Sequence, residues 1–99
     1  MRNSLGKRGE QVATYYLQKK GLVLHDQNIH AQRGEIDIVM WDPKKQEYVF
    51  VEVKTRSSED FGNVESTITK HKLKKILHTI RSYFQKKHPI PYFRIDAVF

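Results

Sequence analysis

The stretch Gly34–Lys54, "GEIDIVMWDPKKQEYVFVEVK", decides how the chain folds. It holds two runs rich in β-branched and aromatic residues, "GEIDIVMW" and "EYVFVEVK", joined by "DPKKQ", whose proline and polar residues predict a turn. A turn centred between Lys44 and Lys45 sets Trp41 opposite Tyr48, Val39 opposite Phe50, Asp37 opposite Glu52 and Glu35 opposite Lys54. Side chains alternate along a strand, so Asp37, Glu52 and Lys54 share one face of the hairpin. Ile36, Ile38, Met40, Val49, Val51 and Val53 take the other. One face reads as core, and the other as a carboxylate pair beside an amine.

Such a pair is costly. Two full charges about 5 Å apart at an effective dielectric of about 20 repel by roughly 3 kcal/mol, a large share of the marginal stability of a small domain. A divalent cation accounts for the cost, because Mg²⁺ is held by one or two carboxylates with water and substrate phosphate completing its shell. The plainer alternative is that Lys54 neutralises the pair on a solvated face.

Outward from the hairpin, Leu5, Val12, Ala13, Tyr16 and Leu17 recur at three- and four-residue steps, predicting a helix from Ser4 as N-cap to about Lys20, with Gly21 as the stop. "LVLHDQNIH" reads as a first strand. From about Thr67 to Lys87, Leu73, Ile76, Leu77, Ile80, Tyr83 and Phe84 fall on one stripe of a second helix, which "HPIP" ends. "YFRIDAVF" reads as the last strand. The order is α-β-β-β-α-β, an α/β fold with a mixed central sheet flanked by helices.

Ninety-nine residues with 38% hydrophobic content support one domain, residues 1–99, with no room for a separate recognition domain. The 18 Lys and Arg against 11 Asp and Glu give a formal charge of +7, which favours a polyanionic partner: nucleic acid or an acidic membrane surface. The membrane ranks lower, because the apolar stripes are needed for the core. The absence of cysteine excludes disulfide scaffolds, thiolate zinc sites and cysteine nucleophiles. The start "MRNSLGKRGEQ" has no apolar signal-peptide run, so a cytoplasmic protein is expected.

Taken together, "GKRGEQVATYYLQKKG", "RGEID", "FVEVKTR", Phe61-Gly62, Thr69 with Lys72, and "FRIDAV" resemble the bacterial YraN-like family, predicted endonucleases of the PD-(D/E)xK superfamily related to archaeal Holliday junction resolvases. An Asp on one strand and Glu-x-Lys on the next, with an apolar x, is that superfamily's arrangement. The resemblance implies a restriction-endonuclease-like fold and a Mg²⁺- or Mn²⁺-dependent endonuclease acting on DNA, branched or junction DNA included. It implies that Asp37, Glu52 and the backbone carbonyl of Val53 hold the metal, that Lys54 positions or activates the attacking water, and that Glu10 from the first helix completes the acidic site. A homodimer is compatible with it. Where relatives commonly carry an Asn-Trp-Arg-like stretch, this chain has Asn28-Ile29-His30, which removes an aromatic and an arginine from the groups that would touch DNA. The chain is also expected to lack a tail beyond the last strand. A non-catalytic nucleic-acid-binding protein with the same fold is the alternative function.

Other residues carry two readings. Glu10 is either a site residue or a surface carboxylate. Gly6 and Gly9 serve close packing, approach to a phosphate, or simple fraying. Lys72 flanks the buried stripe of the second helix within reach of the site and is expected to contact nucleic acid there, while Lys70, Lys74 and Arg81 line the outer face as a phosphate track or a solvated row. His71 and His78 lack the His-x-x-x-His spacing of a zinc site. Asp96 and Arg94 are expected to form a structural ion pair, and Trp41 to pair with Tyr48 across the hairpin.

Overall fold

The computed structural model describes residues 4–31, 34–53, 69–85, 87 and 89–98. Its elements are α1 (Ser4–Lys19), β1 (Val23–Ala31), β2 (Gly34–Asp42), β3 (Glu47–Val53), α2 (Lys70–Tyr83) and β4 (Phe93–Val98), the order expected. The four strands lie in the sheet order β1-β2-β3-β4. The first two pairings are antiparallel and β3–β4 is parallel, so the sheet is mixed. The parallel pair needs a crossover, and α2 lies in that connection.

Local chemistry fixes the element ends. Gly21, at φ +96°, closes α1 in a Schellman arrangement: its N–H donates to the Gln18 carbonyl at 3.0 Å and the Leu22 N–H to the Leu17 carbonyl at 3.2 Å. Thr69 caps α2, its hydroxyl accepting from the Lys72 N–H at 3.1 Å. In the hairpin turn, Asp42 Oδ1 accepts from the N–H groups of Lys44 at 3.0 Å and Lys45 at 3.1 Å. The register places Trp41 opposite Tyr48, Val39 opposite Phe50 and Ile38 opposite Val51, as the turn position predicted. Trp41 and Tyr48 meet edge to face with ring centres 4.9 Å apart.

Several expectations are corrected. The hairpin has no open face, because each side of the sheet carries its own core. Ala13 and Leu17 of α1 pack on Ile38, Met40, Val49 and Val51, while Ile76 and Ile80 of α2, with Phe84, pack on Ile36, Val39 and Phe50. Ile36 therefore lies on the opposite side from Ile38, and strict alternation breaks at Asp37. Across the sheet, Ile38 faces Gln27 and Ile36 faces Ile29, and the intervening Asn28 adopts φ +50°, a local distortion that accompanies the change of side. On α1, Val12 and Tyr16 are 61% and 50% exposed, so the buried stripe narrows to Ala13 and Leu17 among the described side chains. On α2, Leu73 is exposed, Thr79 takes a buried place on the stripe, and the helix ends at Tyr83 rather than near Lys87.

The glycine of "RGEID" has a packing reason. A Cβ on Gly34 would stand 2.9 Å from Thr79 Oγ1, closer than side-chain carbons approach, and Thr79 is 1% exposed with its hydroxyl bonded to the Lys75 carbonyl. Thr79 can turn away only by giving up that bond inside the core, so Gly34→Ala must displace either this side chain or α2 against the sheet. A loss of about 1–3 kcal/mol is expected in denaturant unfolding, the usual scale for overpacking. Gly21→Ala meets no neighbour but is strained by its positive φ, so it should cost on the order of 1 kcal/mol.

Candidate metal and nucleic-acid site

The site forms where β2 and β3 part. Their described register ends at Ile38 opposite Val51, whereas β3 stays paired with β4 through Val53 opposite Val98. At the next step of the hairpin stand Asp37 and Glu52. Asp37, only 6% exposed, reaches across the gap, and its Oδ2 accepts from the Val53 N–H at 3.0 Å. A side chain thus takes the place of a ladder carbonyl. In an extended strand the N–H and C=O of one residue point to the same neighbour, so the Val53 carbonyl faces the side on which Asp37 lies.

Glu52 leaves the sheet on the α2 side. Its Oε1 lies 3.2 Å from Lys72 Nζ, with the two side chains 13% and 28% exposed. The first turn of α2 thus supplies a cation to this carboxylate, and the Thr69 cap that starts the helix fixes where that cation stands. Lys72, expected at the site's edge and assigned to nucleic acid, is spent at least in part on Glu52. Lys70, Lys74 and Arg81 are exposed along the outer face of the same helix.

Glu10 sits on α1, which covers the sheet face opposite to α2, and lines a groove there together with Ile38. Among the described residues no three His, Asp or Glu side chains form a metal-holding group. The expected role of Lys54, and the motif residues Phe61 and Gly62, lie outside the described residues.

Two polar clusters extend beyond what the sequence indicated. Arg94 of β4 pairs with Asp96 as expected, at 3.3 Å, and also with Asp42 at 3.0 Å and with Glu47. Asp42 and Glu47 are partners in the same hairpin register that predicted Asp37 opposite Glu52, so that signal was present in the sequence. The Lys45 N–H and then the Arg94 guanidinium hold the Asp42 carboxyl below its ordinary value of 3.8, against an opposing effect of burial. Burial would lower the Arg94 pKa, but bonds to Glu47, Asp42 and Asp96 outweigh it and raise the guanidinium further. On the α2 side, Tyr83 donates its hydroxyl to Asp26 Oδ2 at 2.9 Å, and burial followed by that bond pushes the phenol up to about 12.

No helix among the described residues is long and apolar enough to cross a membrane. A family model described as "Uncharacterised protein family UPF0102" matches residues 9–99. Similar proteins include the "UPF0102 protein" of Psychromonas ingrahamii, 40% identical over 97% of this chain and 77% of its own length. Another is "UPF0102 protein HEAR0176" of Herminiimonas arsenicoxydans, 35% identical over 98% of this chain and 77% of its own length. A third, the "UPF0102 protein" of Clostridium botulinum, is 38% identical over 95% of this chain and 76% of its own length.

Proposed function

The chain belongs to the uncharacterised protein family UPF0102, whose name states no activity, and from the chemistry of its own residues we propose that it is a metal-dependent DNA endonuclease. The observation that carries this reading is the parting of β2 and β3, with Asp37 bonded across the gap to Val53 and Glu52 at the adjoining position.

The donor set fits a hard cation in kind. Two carboxylates and a carbonyl are all oxygen ligands, and Mg²⁺ takes one or two carboxylates with the rest of its shell from water and phosphate. The bond from Val53 uses one of about four acceptor sites on the Asp37 carboxylate. Asp37, Glu52 and the Val53 carbonyl would hold the ion, with Mn²⁺ as a substitute for Mg²⁺ and Glu10 flanking from α1. When bound, it would supply charge to the scissile phosphate and acidify a water.

The chain's residues do the remainder. The Val53 N–H holds Asp37 in one orientation, and Lys72 does the same for Glu52, so neither carboxylate must be ordered when substrate arrives. Lys54, next in sequence to Val53, is proposed to stabilise negative charge developing on the phosphoryl oxygens. The exposed cations Lys70, Lys74 and Arg81 would track phosphates away from the reacting bond, leaving Lys72 to orient Glu52 at the site's edge.

Purified protein incubated with Mg²⁺ or Mn²⁺ and linear, flapped or four-way-junction DNA tests the proposal. Cleavage that stops in chelator is expected, strongest on branched DNA. Binding without cleavage of any substrate would favour the non-catalytic alternative. Replacing Lys70, Lys74 and Arg81 together should weaken DNA binding and flatten the slope of log affinity against log salt by up to about 0.9 per lost phosphate contact. An unchanged slope would assign the row to solvent.

A further inference from the structure

We propose that the groove between α1 and β1 is a subsite for an unpaired nucleobase of the DNA substrate. This rests on the nucleic-acid part of the proposed function, though not on cleavage.

The groove encloses about 490 Å³, within the range of about 300–1,000 Å³ typical of small-ligand sites. Its walls are unusually rich in amides: Gln11 and Gln18 from α1, Gln27 and Asn28 from β1. Each carboxamide both donates and accepts, which matches the mixed donor and acceptor edges of nucleobases better than charged walls would. Ile38 also lines the groove, and Ile38 follows Asp37 on β2. Ile38 packs with α1, so a base seated there lies on the α1 side of the sheet, whereas Glu52 meets Lys72 on the α2 side.

Tyr15 supplies the stacking element. It lines the groove, yet its side chain is 61% exposed, and Lys19 Nζ stands 5.2 Å from the ring centre. An aromatic ring with a cation on it is the pairing that single-strand-binding surfaces use, base against ring and phosphate against amine. Lys7 adds a second exposed cation at the groove, where Glu10 is the one carboxylate among the described lining residues. A second copy of the chain fits this face less well. Self-association would also bring two chains of net charge +7 together, which overall repulsion opposes.

The test measures binding of the full chain, in chelator, to fluorescent single-stranded homopolymers and to a duplex of equal length. Tyr15→Ala is expected to weaken single-strand binding about ten-fold, the scale of one lost base stack, and to leave duplex affinity nearly unchanged. Tyr15→Phe should behave as wild type. The double variant Gln18→Ala, Gln27→Ala should flatten any preference among the four homopolymers, which a change in folding or overall charge would not do. Equal losses on single strand and duplex, or no loss on either, would overturn the subsite while leaving duplex binding to support the broader reading. Failure of the wild type to bind any DNA would overturn both. Sedimentation of Tyr15→Ala showing a dimer turned monomer, with single-strand affinity unchanged, would give the face to a second copy instead.

Discussion

Asp37→Asn is expected to reduce metal-dependent cleavage on the order of a thousand-fold, the scale of removing one group that organises charge at the reacting phosphate, while DNA binding persists through the exposed cations of α2. The stability of the metal-free protein separates this from a folding defect. Asparagine keeps an acceptor oxygen for the Val53 N–H, which Asp37 now receives at 3.0 Å. Unfolding free energy without metal should therefore change by less than about 1 kcal/mol. Asp37→Ala removes the acceptor as well, and leaving the half-buried Val53 N–H without it adds a loss of about 1–2 kcal/mol.

Metal linkage provides a second comparison. Mg²⁺ at 100 times its dissociation constant would add about 2.7 kcal/mol to the wild type, and both variants should lose that increment. Melts run with and without Mg²⁺, and with and without a non-cleavable DNA, resolve the terms. Retained cleavage in Asp37→Asn would remove Asp37 from the metal set. Destabilisation of the metal-free protein beyond about 1.5 kcal/mol would make the carboxylate's charge chiefly structural, and the repulsion that suggested a cation would no longer need one.

The parts of the fold legible in the sequence were those set by local chemistry and by period. Gly21 stopped α1, and "DPKKQ" centred the turn so that the whole β2–β3 register followed from it. What stayed hidden depended on the second layer. A strand covered by helices on both faces loses its polar alternation, and Ile36 to Met40 are all buried, so the sequence period could not say which residues faced which helix. The break at Asp37 could not be read either, because it is marked only by Asn28 at φ +50° on the neighbouring strand.

Of the candidate site, the place of Asp37 and Glu52 one step beyond the Ile38–Val51 pair was readable, but the partners that orient them were not. The bond to Val53 arises only because β2 and β3 stop pairing there, and the Lys72–Glu52 pair only because α2 returns over that face. Glu10 was read from its position beside the apolar stripe of α1, and it lines the amide-walled groove on the α1 side of the sheet.

Arg94→Met should be the most destabilising single change outside the apolar core. The guanidinium bonds Asp42, Glu47 and Asp96 and so ties the turn end of the β2–β3 hairpin to β4, the strand that returns from α2. Methionine keeps most of the apolar stem but leaves three carboxylates facing one another. Removing one partner of a fully buried pair costs about 3–5 kcal/mol, and here the side chains retain 10–38% exposure, so screening reduces the expectation to about 2–3 kcal/mol. For a domain of this size that is a fall in Tm of roughly 10–20 °C. The pH dependence identifies the cause. Asp42 titrates below its ordinary 3.8 in the folded protein, so its contribution is fully present above that value and is lost as pH falls through the lower, folded value. In the variant the Lys45 N–H still favours the Asp42 anion, but the neighbouring carboxylates disfavour it, and protonation relieves their repulsion. The stability difference between wild type and Arg94→Met should therefore be widest at neutral pH and narrow as pH drops below about 4. Added salt at neutral pH should narrow it in the same direction. A difference constant from neutral to acid pH would mean that Arg94 acts through the packing of its stem, and the charge cluster would be a consequence of the fold rather than a support for it.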